Sequence, residues 1–167
     1  MMKRITVSER WLTAARSRLR IELAGLAFAV HRGHGPEEYA RDLWGHGAKG
    51  WMGWERPTPL EYLRKEAKAM ATLYPWIKGT ARQVAPGTAE MIICNGCLAG
   101  WGDDRWALSR SFGLSQAQVC QYCQEAFTVW GRQLGLEVTL TPRVDGTCVL
   151  RAAEESQATA RPARSKE

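Results

Sequence analysis

Two short turn signals punctuate the second half of this 167-residue chain and restrict what it can fold into. Pro86-Gly87 stands between strand-like runs at 80–85 and 88–94. Val144-Asp145-Gly146 stands between runs at 136–143 and 147–151. Each signal interrupts extended backbone and favours its reversal, so each flanking pair predicts an antiparallel hairpin. Between the hairpins the pattern turns helical. Residues 106–112 predict a short helix ended by Gly113. Ser115 with Gln118 three residues on predicts a capping box for a helix running to Leu134, with Gly135 as its stop. The first half predicts helices. Ser8 is placed to cap a helix to about Arg32, with Trp11, Leu12, Leu19, Leu23, Leu26 and Val30 as its apolar faces and Gly33 and Gly35 as breakers. Pro36 opens a second helix in which Tyr39, Leu43 and His46 share a side. Thr58, Pro59 and Glu61 start another, which ends near Tyr74 because Pro75 follows. The sum is an α+β fold, with N-terminal helices packed on a roughly four-stranded antiparallel sheet and two further helices.

The length suits one domain, expected over residues 1–152, and is enough to bury a core without disulfides. Residues 153–167 lose all periodicity and aromatics and are expected to form a disordered tail. The net charge is +6, and much of it lies early, where Lys3, Arg4, Arg10, Arg16, Arg18 and Arg20 face only Glu9. This reads as a solvated helix face. Nucleic acid is not an expected partner, because no recognition motif accompanies the charge. No apolar run approaches the roughly 18 residues of a membrane span. The apolar stretch 21–30 is too short and carries Glu22, so it reads as a core helix and not as a secretory signal. A cytoplasmic location is therefore expected, with reduced thiols.

The five cysteines carry the strongest chemical signal. Cys94-Asn95-Gly96-Cys97 and Cys120-Gln121-Tyr122-Cys123 are two C-x2-C pairs separated by 22 residues. Thiolates so spaced can converge on one tetrahedral ion, and soft sulfur favours zinc or an iron–sulfur cluster. Cys148 lies on the last strand run, where it shares a face with Leu150. If the preceding helix packs on that face, Cys148 meets Cys120 or Cys123. The expected metal set is Cys94, Cys97, Cys120, Cys123 and Cys148. Two alternatives stay open. Cys120, Cys123, Phe127, Trp130 and Leu134 recur at spacings of 3, 4, 3 and 4, the buried stripe of an amphipathic helix, so the thiols can be small core residues. They can also be reactive without metal.

Asp103 and Asp104 follow Cys97 closely, as proton acceptors for the thiols or as helix-start residues. The segment 44–57 sets Trp44, Trp51 and Trp54 among glycines, which suits an irregular loop closing over a ligand. His31, His34 and His46 have no metal spacing, and His46 is the best pocket candidate because it sits in this loop. Glu55, Glu61, Glu66 and Lys68 are further polar candidates that capping and surface pairing also explain.

From Cys94 to Arg151 the chain resembles the C-terminal half of the L-2-amino-thiazoline-4-carboxylic acid hydrolase-like family. The matching features are Cys94 or Cys97 near a strand end, Phe112-Gly113-Leu114, Cys120 or Cys123 on a helix, and Gly146-Thr147-Cys148-Val149-Leu150-Arg151. The outline is also similar to vinyl-reductase-type small-molecule-binding domains. The resemblance implies hydrolysis of a small C–N or C–S compound. Cys97 or Cys123 would be the nucleophile, or several cysteines would hold a metal that activates water. Asp104 would move protons, and Trp51, Trp54, Trp101 and His46 would enclose the substrate. The competing expectation is a non-catalytic accessory module or subunit of a larger complex, or a homo-oligomer, that binds a small ligand or holds a structural zinc or iron–sulfur site. A thiol redox sensor is a third.

Overall fold

The computed structural model describes residues 6–53, 56–94, 100 and 104–155. The fold is α+β, with six helices and four strands among the described residues. Helix α1 spans Val7–His31. Its cap is Thr6, not Ser8: the Thr6 hydroxyl accepts from the Glu9 amide, and the Glu9 carboxylate accepts from the Thr6 amide. Only Thr6 has a carboxylate three residues on, which makes the box reciprocal. Leu19, Leu23 and Leu26 turn inward, while Arg10, Arg16 and Arg20 stay exposed as the sequence predicts.

Helix α2 covers Pro36–Trp44. The glycine-rich stretch after it is more ordered than expected: α3, a single short helix, occupies Ala48–Met52 between left-handed Gly47 and Gly53. Helix α4 runs over Pro59–Leu73 from the expected Thr58–Glu61 capping box, and Tyr74 closes it. Strands β1, Lys78–Ala85, and β2, Thr88–Cys94, form the first hairpin. Helices α5, Ala107–Ser111, and α6, Gln116–Arg132, follow, the latter opened by the Ser115–Gln118 box. Strands β3, Leu136–Pro142, and β4, Cys148–Glu154, complete the sheet. Strand β4 runs past the expected tail boundary at residue 153, because the Glu154 amide still donates to the Gly87 carbonyl at 3.0 Å.

The sheet is fully antiparallel in the order β1-β2-β4-β3. Its inner face carries Ala89, Met91 and Ile93 of β2, Leu136, Val138 and Leu140 of β3, and Leu150 and Ala152 of β4. Helices α4 and α6 lie against this face, and α2 packs on α6. Close approach of α6 to β3 requires Gly131, where a Cβ would stand 2.2 Å from Val138 Cγ2. The outer face is open and polar, with Arg151 beside Glu90 across the strands at 3.6 Å. Helix α1 ties into both halves: the Trp11 indole donates to the Thr72 carbonyl at 2.7 Å, and Glu22 reaches Tyr74 and Tyr122.

Candidate functional site

Strand parity sorts the cysteines. On β2, Ala89, Met91 and Ile93 point inward, so Cys94 points to the outer face with Ile92. Its thiol donates to the Lys78 carbonyl at 3.5 Å. On β4, Cys148 pairs with Ile93 and Pro142 and shares the inner side with Leu150. Helix α6 packs on that side, as the conditional reading of the sequence requires. Cys120, Cys123 and Cys148 consequently border one apolar pocket of about 50 Å³, together with Ile93, Val119, Phe127, Leu140 and Arg105. Cys123 is buried, and Cys120 and Cys148 are half-buried. Cys94 does not line this pocket. Cys97 lies outside the described residues, as do Trp54, Glu55, Trp101 and Asp103. Of the four cysteines among the described residues, three thus border one small space. Among the described residues, no three His, Cys, Asp or Glu side chains form a group able to hold a metal ion.

Asp104 does not line the pocket of Cys120, Cys123 and Cys148. It sits on the surface in an ion pair with Arg110, whose hydrogen bond holds its carboxyl below the ordinary value. Arg105 next to it turns inward and donates to the Gly146 carbonyl at 2.5 Å, which fastens the β3–β4 turn to the pocket rim. His46 is exposed and lines no cavity described here, and His31 and His34 are exposed as well.

A larger space lies on the other side of Met70 and Phe127. A cavity of about 260 Å³ opens between α1, α4 and α6. Trp44, Trp51, Trp130, Tyr74, Tyr122 and Phe127 form its walls. Trp130 meets both Trp44 and Trp51 edge-on, with ring centres at 5.6 and 5.8 Å. Of the tryptophans expected to enclose a ligand, Trp51 does line this cavity. Met70 and Phe127 belong to the linings of both cavities, so they form the partition between aromatic chamber and thiol pocket.

Three charged groups enter the aromatic chamber: Arg18, Glu22 and Glu66. Glu22 is well satisfied. Its Oε2 accepts from the Tyr74 hydroxyl at 2.5 Å and its Oε1 from the Tyr122 hydroxyl at 3.1 Å, while the Trp44 indole donates to Tyr122 at 2.8 Å. Burial first, then the neighbouring Glu22 charge, raises both phenols well above the ordinary tyrosine range, so they remain donors at any physiological pH. Tyr74 in turn holds the Arg18 guanidinium in its charged form.

Glu66 is different. It is 8% exposed and has no basic partner among the described residues. Burial pushes its carboxyl up to about 7, only partly offset by the Tyr62 hydroxyl beside it. That hydroxyl is itself buried, and among the described residues no acceptor meets it at hydrogen-bonding geometry. The neighbouring Lys65 does not neutralise Glu66. Its ammonium donates to the Trp51 carbonyl and lies 4.9 Å from the centre of the Trp51 ring.

Sequence reasoning named Glu66 among polar candidates but missed Glu22, Arg18, Tyr74 and Tyr122. A signal was present for Glu22, the single acid within the apolar stretch 21–30. Tyr122 falls off the cysteine–aromatic stripe, because α6 is buried on a second side against α2.

The architecture so defined is an α+β domain with helices on one face of an antiparallel sheet and an aromatic chamber among those helices. No protein-family model matches the chain. No curated protein matches it either.

Proposed function

We propose that this protein binds a small organic molecule in the aromatic chamber between α1, α4 and α6. The observation that carries the reading is the conjunction of a 260 Å³ aromatic-walled cavity with a buried carboxyl that has no basic partner among the described residues. Ligand sites are largely apolar hollows with a few placed polar groups and perturbed titrations, and this chamber has each property. Tryptophan fluorescence tests it, since three of the walls are indoles. Benzyl alcohol and benzylamine are suitable compact probes. Saturable quenching by at least one, lost when Ala126 on the wall is enlarged (Ala126→Phe) in a variant that keeps its circular dichroism, is the expected result. Absence of saturable binding by both, or binding that survives the filling, overturns the reading.

A second reading, hydrolysis of a small C–N or C–S compound, is favoured by the three thiols behind the Met70–Phe127 partition. A thiolate would add to the electrophilic carbon of a substrate that reaches the thiol pocket. The C–N bond would break with its nitrogen taking a proton. Water would then attack the sulfur-bound carbon and release the thiol. Of the expected nucleophiles, Cys123 borders this pocket and Cys97 lies outside the described residues. Ring opening of a 2-aminothiazoline carboxylate, abolished in Cys123→Ser or Cys148→Ser, is the corresponding assay. Full activity in both variants, or no activity in the parent protein, removes this reading.

A further inference from the structure

Resting on the ligand-binding reading just given, we infer that the chamber takes an organic cation, a protonated amine carried on a flat apolar body, with Glu66 as its counter-ion. Three tryptophans, two tyrosines and Phe127 line the chamber. Aromatic walls of this kind attract cations through their quadrupoles, more strongly once water is excluded.

The two carboxyls in the chamber are not equivalent. Glu22 is committed: two phenols donate to its two oxygens, and the Arg18 charge acts on it. Glu66 has the Tyr62 hydroxyl beside it, and among the described residues no basic side chain forms an ion pair with it. A buried carboxylate left in that state is costly, so the carboxyl keeps its proton to an unusually high pH. An ammonium group entering the chamber supplies the missing charge. It replaces the proton with a permanent partner and gives the carboxylate a strong donor. A neutral ligand of the same shape gains the apolar burial but not this pairing. An anionic ligand would face both carboxyls.

Among the described residues, the charged and titratable groups facing the site are Arg18 and Glu22 from α1, Tyr62, Lys65, Glu66 and Tyr74 from α4 and its cap, and Tyr122 from α6. Burial raises the three phenols and the Tyr74 hydroxyl raises Arg18, so these groups keep their protons across the neutral range. Glu66, with its carboxyl raised to about 7, is the group expected to titrate within the neutral range there.

The experiment compares benzylamine with benzyl alcohol by calorimetry or fluorescence between about pH 6 and 8, where benzylamine remains protonated. Benzylamine affinity is expected to rise about tenfold over this range as Glu66 ionises, while benzyl alcohol affinity stays level. In Glu66→Gln the amine loses that rise and binds about tenfold or more weakly at pH 8, with benzyl alcohol unchanged. Glu66→Asp, which restores a carboxylate, recovers part of the amine preference. Glu22→Gln keeps the pH response. Equal affinity for both probes, or an undiminished amine preference in Glu66→Gln, overturns the cation inference and leaves the ligand-binding reading standing. Failure of both probes to bind overturns both.

Discussion

The Tyr74 hydroxyl donates to Glu22 Oε2 at 2.5 Å, and this contact helps join the end of α4 to the middle of α1. Helix α1 has few other polar ties to the body of the protein among the described residues, so the carboxylate acts as an anchor. Tyr122 meets the other oxygen at 3.1 Å. Tyr74→Phe therefore removes a charge-assisted bond and is expected to cost about 1.5–3 kcal/mol. Tyr122→Phe leaves two groups short of a partner, Glu22 Oε1 and the Trp44 indole, and is expected to cost at least as much. Urea denaturation of both variants measures this. Losses below about 0.5 kcal/mol would show that the anchor is not holding α1.

Glu66 makes stability depend on pH in the opposite sense to a salt-bridged acid. The folded chain keeps the Glu66 proton up to about 7, whereas the unfolded chain releases it near 4.5. Between those values the folded state binds more protons, so stability falls as pH rises and levels off above the folded value. The size of the fall attributable to this group is about 3 kcal/mol. Urea midpoints measured across that window are expected to decline, and Glu66→Gln is expected to flatten the decline. A parent and variant with parallel profiles would refute the assignment.

Gly131→Ala tests the α6–β3 contact. A Cβ there would stand 2.2 Å from Val138 Cγ2 and 2.8 Å from Val138 Cβ. Val138 is branched and only 2% exposed, with no room to retreat, so the substitution is expected to destabilise by about 1–3 kcal/mol, despite the usual helix preference for alanine. Val138→Ala in the same chain should recover part of the loss, as read by thermal melting.

Thiol labelling tests the sorting of the cysteines. Cys123 is 8% exposed, while Cys94, Cys120 and Cys148 are half-buried. Alkylation followed by peptide mass mapping should therefore modify Cys123 last. Filling the thiol pocket with Val119→Phe should slow Cys120 and Cys148 and leave Cys94, on the opposite sheet face, unaffected. Equal slowing of Cys94 would contradict the parity argument.

The fold was readable because local chemistry and tertiary structure agree. The Thr58–Glu61 and Ser115–Gln118 boxes start helices where their spacing says, and Pro86-Gly87 and Asp145-Gly146 turn the chain where expected. The cysteine reading was half legible for a physical reason. The period of a strand placed Cys148 on the helix side, but the same period sends Cys94 away, and the position of the turn relative to the core sets that phase. The aromatic chamber was hardly legible. Its walls come from α1, α2, α3, α4 and α6, and no local spacing encodes which of eight tryptophans converge. Asp104 reads as a proton acceptor from its place near Cys97, whereas Arg110, six residues on, claims it at the surface.

The position of β4 has a consequence for how the chain comes together during synthesis. Residues 148–154 supply an interior strand, inserted between β2 and β3. The first hairpin can zip as soon as residue 94 has left the ribosome, but its inner edge stays unpaired until some sixty further residues have been translated. For that interval the nascent chain carries a sticky, half-built ribbon, and α4, made earlier, is the element in place to shield its apolar face. Late closure by a distant segment also implies slow, all-or-nothing assembly of the sheet, because the contacts that complete it are the most remote in sequence.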